Sequence, residues 1–376
     1  MKAFVVVLII CLLALGVVGC RQTTPATQPP VVALPVSPPP LPLGGLRGIY
    51  LSGWAAGSPR IFARNVALID ATTLNAMVID VKDDGRVSYD VAVPLAREIH
   101  ANRRMIRNID QLLATLAQHR IFPIARIACF RDTPLALAHP ELAIHTAHGR
   151  VFRDGSGHAW LNPYDRRVWD YNVACALDAA RQGFKEIQFD YVRFPSEGNT
   201  QTLSYQHKPQ GVTRQAQIAA FVRYARRQLT GHGVYVSVDV FGLSSKPNPH
   251  NPDMGIGQTP TNIAAEVDVL CPMLYPSHYA RGQYNIANPN RAPYLIVQRS
   301  LRDALRARHT CRLRPWLQDF SLNGVVYGPA QVRAQITALR EAGVQEYLLW
   351  NARCQYTAAA LEPASRLDVS AFPLVR

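Results

Sequence analysis

The chain has 376 residues, 48% of them hydrophobic and 18% charged, a balance that supports a sizeable core and excludes wholesale disorder. Lys and Arg number 40 against 26 Asp and Glu, a formal charge of +14. That excess suits an anionic lipid, polysaccharide or nucleic-acid surface without choosing among them; it forms no dense basic run and accompanies no nucleic-acid module, so no nucleic-acid partner is expected.

The chain opens on MKAFVVVLIICLLALGVVGC: one lysine, an apolar run, then small residues before a cysteine. The run is short for a membrane span and has the form of an export signal. Its end, VVGC (Val17 to Cys20), resembles the lipobox of bacterial lipoproteins, which implies cleavage before Cys20 and lipidation of that residue. Residues 1–19 are then a signal peptide. Residues 20–45, RQTTPATQPPVVALPVSPPPLPLGG after the cysteine, form a proline-rich tether that would stand off extended. The expected location is the bacterial cell envelope, lipid-anchored on the exported side of the membrane. Cys129, Cys175, Cys271, Cys311 and Cys354 remain in the body, without metal-ligand spacing; Cys129, Cys271 and Cys354 lie in apolar runs as small buried residues, and one disulfide is left open.

From residue 46 to 376 a single domain is expected. Its strands are GIYLSGW (48–54), AMVIDVKD (76–83), FPIARIACF (122–130), EIQFDYVRF (186–194), VYVSVDVFG (234–242), VDVLCPMLY (267–275), RPWLQDF (314–320) and EYLLWNA (346–352). Helical periodicity fills the intervals, as in IDQLLATLAQHR, TRQAQIAAFVRYARRQLTG and PAQVRAQITALREAGV. Strand and helix alternating eight times predict a (β/α)8 TIM barrel. A doubly wound open sheet would carry a glycine-rich phosphate turn after an early strand, and none is present.

Alternation along barrel strands then assigns faces. Ile187 and Phe189, Val236, Val238 and Val240, Ile79 and Val81, and Ile127 and Cys129 suit the helix side. The barrel interior receives Gln188 and Asp190, Ser237 and Asp239, Asp80 and Lys82, and Arg126. Four neighbouring strands thus send charge inward near their C-terminal ends, the face where barrel active sites lie. The loops after the third to sixth strands are long and mix aromatics, histidines and amides, a composition for a polar cleft or for simple elaboration.

Two carboxylates at one level of adjacent strands, Asp190 and Asp239, suit glycoside hydrolysis, one as general acid and the other as nucleophile or base. Asp80, Lys82 and Arg126 would tune the pair or bind sugar hydroxyls. Trp54, Tyr191, Tyr275, Trp316 and Trp350 stand at strand ends, where rings either face a sugar or pack the barrel top. His145, His148 and His158 share one loop and read as polar loop residues, and DVKDDG lacks the ligand order of a calcium loop. No metal and no cofactor are required, and no G-x-S-x-G elbow is present.

GIYLSGW, VIDVKDDGRVSY, IQFDYVRFPSEG, VSVDVFG and CPMLYPSHY together resemble the bacterial putative glycosyl hydrolase domain family, over about residues 46–365. The resemblance implies a (β/α)8 barrel distantly like the alpha-amylase-type hydrolases, whose nucleophile is an aspartate on the fourth strand and whose acid/base is on the fifth. Those positions match Asp190 and Asp239; the acid of amylase-type enzymes is normally glutamate, one methylene longer. Asp319 could supply a third carboxylate. The sequence therefore reads as a lipid-anchored glycoside hydrolase acting on an envelope or extracellular polysaccharide or oligosaccharide. Asp190 is nucleophile or base and Asp239 general acid, with Tyr191, Arg193, Tyr275, His278, Trp316, Asp319, Trp350 and Asn351 as further substrate contacts. A polysaccharide-binding or scaffold lipoprotein without turnover, on the same barrel, is the alternative.

Overall fold

The structure, a computed structural model, describes residues 36–42, 44–246, 248–307 and 311–364. Eight parallel strands form the barrel: β1 (Arg47–Leu51), β2 (Ala76–Asp83), β3 (Phe122–Ala128), β4 (Glu186–Asp190), β5 (Tyr235–Phe241), β6 (Val269–Met273), β7 (Trp316–Gln318) and β8 (Tyr347–Trp350). Each pairs with the next in sequence, and β1 pairs with both β2 and β8, which closes the sheet on itself. Closure leaves no sheet edge among these strands. The (β/α)8 barrel expected from the alternation is the observed fold.

Helices α1 (Pro59–Asp70), α2 (Ile109–Gln118), α3 (Arg166–Gln182), α4 (Arg214–Leu229), α5 (Pro260–Ala264), α6 (Pro293–Ala307) and α7 (Pro329–Glu341) return the chain from each strand to the next. Their sequence signals are physical. α1, α5 and α7 begin on proline, whose missing N–H is unneeded in a first turn. α3 starts from the Asp165 side chain, which accepts the Arg167 N–H, and ends at Gly183 with φ 116°. Among the described residues, β8 is followed only by a 3-10 turn, Ala358–Ala360, in place of an eighth helix.

The outward faces of the strands make the core. Ile79, Ile127, Ile187, Phe189, Val238 and Val240 are fully buried against the helices. Cys129, Cys175, Cys271 and Cys354 are free thiols, all buried, as small apolar residues would be.

The interior of the barrel is polar and divides into two levels. At the N-terminal end, Arg314 is fully buried between Glu186, 2.7 Å away, and Glu346, 2.8 Å away; Ser237 Oγ donates to Glu186. The second level lies at the C-terminal end and belongs to the site.

The expected signal peptide, Cys20 and the tether as far as residue 35 lie outside the described residues. The remainder of the tether does not stand off as expected. Val36 exchanges backbone hydrogen bonds with Gly231 and Gly233, Tyr235 Oη donates to Pro39 O, and Leu41 packs on the core. Proline lacks the N–H but keeps its carbonyl, and the Pro39 carbonyl is one of the groups that tie the segment down. The chain joins the barrel at the N-terminal end of β5.

Candidate active site

The C-terminal end of the barrel holds a cavity of about 460 Å³, walled by β3 to β8 and by the loops after β4, β5 and β6. Its floor is built around one guanidinium. Arg126, 4% exposed, comes from β3; its Nε and Nη2 donate to Asp190 Oδ2 at 3.0 and 2.5 Å, and its Nη1 to Asp80 Oδ1 at 2.5 Å. Asp239 Oδ2 stands 3.9 Å from Nε and Asp83 Oδ1 3.7 Å from Nη1. Asp80, Asp190 and Asp239 are each under a tenth exposed. Three nearly buried carboxyl groups therefore share one fixed cation.

Each carboxyl has its own surroundings. Asp190 ends β4, and its Oδ1 accepts the backbone N–H of Tyr191 at 2.6 Å. Tyr191 itself takes φ 51°, a left-handed conformation uncommon outside glycine, which turns the chain sharply at the end of β4. Asp239, on the neighbouring β5, is 1% exposed and accepts the Trp316 indole N–H at 2.7 Å. Burial drives its carboxyl well above the usual carboxylate range, and the charge of Asp190 adds to this; Arg126 and the indole offset only part. Burial likewise pushes Asp80 up to about 7, against the pull of Arg126, while Tyr50 Oη donates to its Oδ2.

Aromatic rings complete the wall. Trp350 stacks on Tyr50 with centroids 3.9 Å apart and meets Trp316 edge-on at 5.6 Å. The guanidinium of Arg126 lies 5.3 Å from the Trp350 ring. Tyr275 contacts His278 and Phe320, and burial lowers the basicity of His278. Gly242 follows β5 where a Cβ would sit 2.3 Å from Tyr279 Oη, so the approach of that wall requires glycine.

Of the residues expected from sequence, Arg126, Asp190, Tyr191, Arg193, Asp239, Tyr275, His278, Trp316 and Trp350 line this cavity. Asp80 lies beneath it, reached through Arg126. Asp319 and Asn351 lie in an adjoining groove of about 720 Å³ that shares His278 and Trp350 with the cavity. There they brace the chain after β8: Asp319 accepts from Thr357 N and Oγ1, and Asn351 Nδ2 donates to the Asp319 and Gln355 carbonyls. Trp54 is 69% exposed and is not part of the cavity wall.

Lys82 is the correction. A register shift between Asp80 and Lys82 pairs Asp80 with Arg126 but Lys82 with Ile127, so the extra residue turns Lys82 to the helix side. There it is fully buried; Nζ lies 2.8 Å from Asp132 Oδ2 and donates to Ala128 O and to Asn172 Oδ1 on α3. It is a structural residue, out of reach of the cavity. The DVKDDG turn is structural as well, since Asp84 accepts from Thr133 and pairs with His158 at 3.0 Å.

Tyr50, Glu197, Phe241, Met254 and Tyr279 belong to the site without having been singled out from sequence. Tyr50 was legible, since it alternates with Ile49 and Leu51 in β1, and so was Phe241, which follows the outward Val240 at the end of β5; Glu197, Met254 and Tyr279 sit in loops whose course carries no period.

The model of the family described as "Putative glycosyl hydrolase domain" matches residues 48–356, which span β1 to the chain just past β8. The chain belongs to that family. A hypothetical protein from Ruminiclostridium thermocellum ATCC 27405 is 39% identical, covering 51% of this chain and 97% of its own, with a TM-score of 0.47. The alpha-galactosidase TtGalA from Thermus thermophilus superposes with a TM-score of 0.52 at 13% identity, covering 84% of this chain. This chain spans 59% of that enzyme's length. A class V chitinase from Pseudomonas fluorescens Pf-5 gives 0.50 at 12% identity, covering 84% of this chain and 98% of its own. At such identities the two likenesses speak for the glycosyl hydrolase domain's barrel, not for its substrate. No curated protein matches the chain.

Proposed function

We propose that the protein is a glycoside hydrolase that cleaves a polysaccharide or oligosaccharide with Asp190 as nucleophile or base and Asp239 as general acid. The observation that carries this reading is the inequality of two carboxyls on adjacent strands of one cavity. Asp190 is gripped by the Arg126 guanidinium and a backbone N–H, both of which favour an acceptor. Asp239 is buried beside that charge, which favours keeping its proton. A buried acid beside a carboxylate held as a hydrogen-bond acceptor is what glycosidic bond cleavage uses: one protonates the leaving oxygen, the other attacks C1 or activates water. Trp350 and Trp316, edge-on to each other in the cavity wall, offer apolar surface to a sugar ring, with Tyr50 stacked on Trp350. Membership of the family supports the same reaction class.

The location proposed is the cell envelope, with an anchor at Cys20. The described chain joins the barrel at the N-terminal end of β5, the end opposite the cleft.

The test is release of reducing ends from a panel of envelope and plant polysaccharides by residues 36–376. Asp239→Asn removes the acid and is expected to lower kcat by a factor of about 10² to 10⁴. Asp190→Asn is expected to lower it at least as far. Turnover that survives both substitutions would sink the assignment, and a folded protein that binds a glycan without ever cleaving it would favour a receptor.

A further inference from the structure

Three arginines are buried among the described residues: Arg126, Arg193 and Arg314. Two are matched by carboxylates, Arg126 with Asp80 and Asp190, and Arg314 with Glu186 and Glu346. Arg193 is the exception. It is 6% exposed and lines the cavity, yet no carboxylate among the described residues comes within ion-pair distance. Its Nη1 donates to Phe194 O at 3.1 Å and to Ser196 Oγ at 3.2 Å. Nε and Nη2 meet no acceptor among the described residues.

A guanidinium removed from water without a counter-charge is costly. Three rings offset part of that cost: Trp160, Tyr191 and Phe241 lie 4.8, 5.2 and 4.6 Å from its Cζ. They hold the group in place without pairing its charge, and Asp190 and Glu197 act on it only from beyond ion-pair distance. The neighbouring Arg131, 3.8 Å over the Tyr191 ring, adds positive potential to the same side. Glu197 is the acidic residue of this wall; it is exposed and forms no ion pair with Arg193. The unused Nε and Nη2 form the edge of a guanidinium that meets a carboxylate with two parallel hydrogen bonds.

Resting on the glycosidase reading above, we infer that the glycan bound in this cleft carries a carboxylate, received by the Nε–Nη2 edge of Arg193. The substrate class is an acidic glycan of the uronic-acid type. The general +14 charge of the chain would draw such a polymer to the surface, and Arg193 would set which sugar stands beside Asp190 and Asp239.

The probes are glucuronate and galacturonate, with glucose, galactose and glucuronic acid methyl ester as uncharged controls at matched ionic strength. Binding is followed by protein NMR shifts or thermal protection. In the wild type the free acids are expected to bind about tenfold more tightly than the neutral sugars and the ester, since one charge-assisted bidentate pair is at stake. In Arg193→Gln that ratio is expected to fall to near one. Arg193→Lys, which keeps the charge and the loop contact but lacks the two-donor edge, should fall between. Equal binding of acids and neutral sugars by the wild type overturns the inference, and so does an acid preference that survives Arg193→Gln in a folded protein. Cleavage of neutral glycans without any uronate preference would sink the inference and leave the glycosidase reading intact. Uronate preference with no hydrolysis of any glycan would do the reverse.

Discussion

Asp80→Asn separates the floor of the site from its chemistry. Asp80 is 2% exposed, and burial raises its carboxyl from the ordinary 3.8 to about 7 although Arg126 and Tyr50 both donate to it. The raised acid binds more protons folded than unfolded, so its contribution to stability is complete below the unfolded value and is lost as pH climbs through the folded one. A displacement of roughly three pH units corresponds to about 4 kcal/mol between pH 4 and pH 7.5. Asparagine has nearly the same shape and does not titrate. Its Oδ1 can accept from Arg126, and the Tyr50 hydroxyl can turn to accept from its Nδ2. The assay is urea unfolding of wild type and variant at half-unit steps across that window. Most other acids titrate alike in both proteins and cancel in the difference. The stability difference is expected to move in favour of the variant by about 4 kcal/mol as pH rises through the window. Parallel curves would show that Asp80 is not held protonated, and the reading of Arg126 as overcommitted would go with it.

Three further outcomes are expected. Lys82→Met leaves Asp132 buried without its cation and should cost about 3–5 kcal/mol, with kcat and KM of the folded protein unchanged. A raised KM on its own would instead return Lys82 to the cleft. Arg314→Met strands Glu186 without a cation, while Glu346 keeps Arg312, and should cost about as much. Urea unfolding measures it, and a loss below about 1 kcal/mol would contradict the pairing. Trp350→Ala removes the ring stacked on Tyr50 and facing Arg126, and should raise KM about five- to tenfold in the same hydrolysis assay, the scale of one aromatic contact.

The barrel and the pair Asp190 and Asp239 were legible because both follow from period-two alternation in strands flanked by helices on one side. Ile187, Phe189, Val238 and Val240 had to face outward, and Gln188, Asp190, Ser237 and Asp239 had no other direction to take. The same reasoning failed at Lys82 for a definite reason: one extra residue after Asp80 breaks the period, and nothing in VIDVKDDG marks where. Asp319 and Asn351 were read from the ends of their strands, where alternation gives way to loop geometry, and they share a groove beside the cavity. Arg193 was read from sequence as a substrate contact, and it lines the cavity. That it is the buried arginine left without a carboxylate could not be seen from one strand, since the missing partner is a fact about every neighbouring element.

The two polar levels of the barrel interior differ in one respect that bears on catalysis. At the N-terminal end, Glu186 and Glu346 meet Arg314, and Arg312 also pairs with Glu346: two carboxylates against two guanidiniums. At the C-terminal end, Asp80, Asp190 and Asp239 surround Arg126 alone, with Asp83 at its margin. The first set is balanced in charge. The second carries more negative charge than one buried cation can neutralise, so protons must make up the deficit, and they settle where burial is deepest and the guanidinium farthest. Asp239 meets both conditions: it is 1% exposed and 3.9 Å from Arg126 at its nearest. The acid of the site is thus produced by setting three carboxyls within ion-pair reach of one guanidinium, while Arg193 in the same wall pairs with none of them. A second arginine at this level, introduced by Gln188→Arg on the interior face of β4, should therefore lower the pKa of Asp239 toward that of an ordinary carboxylate. The alkaline limb of the pH–kcat/KM profile should then move to lower pH. A limb that stays in place while the variant still turns over would mean that burial alone, without the charge imbalance, holds the proton.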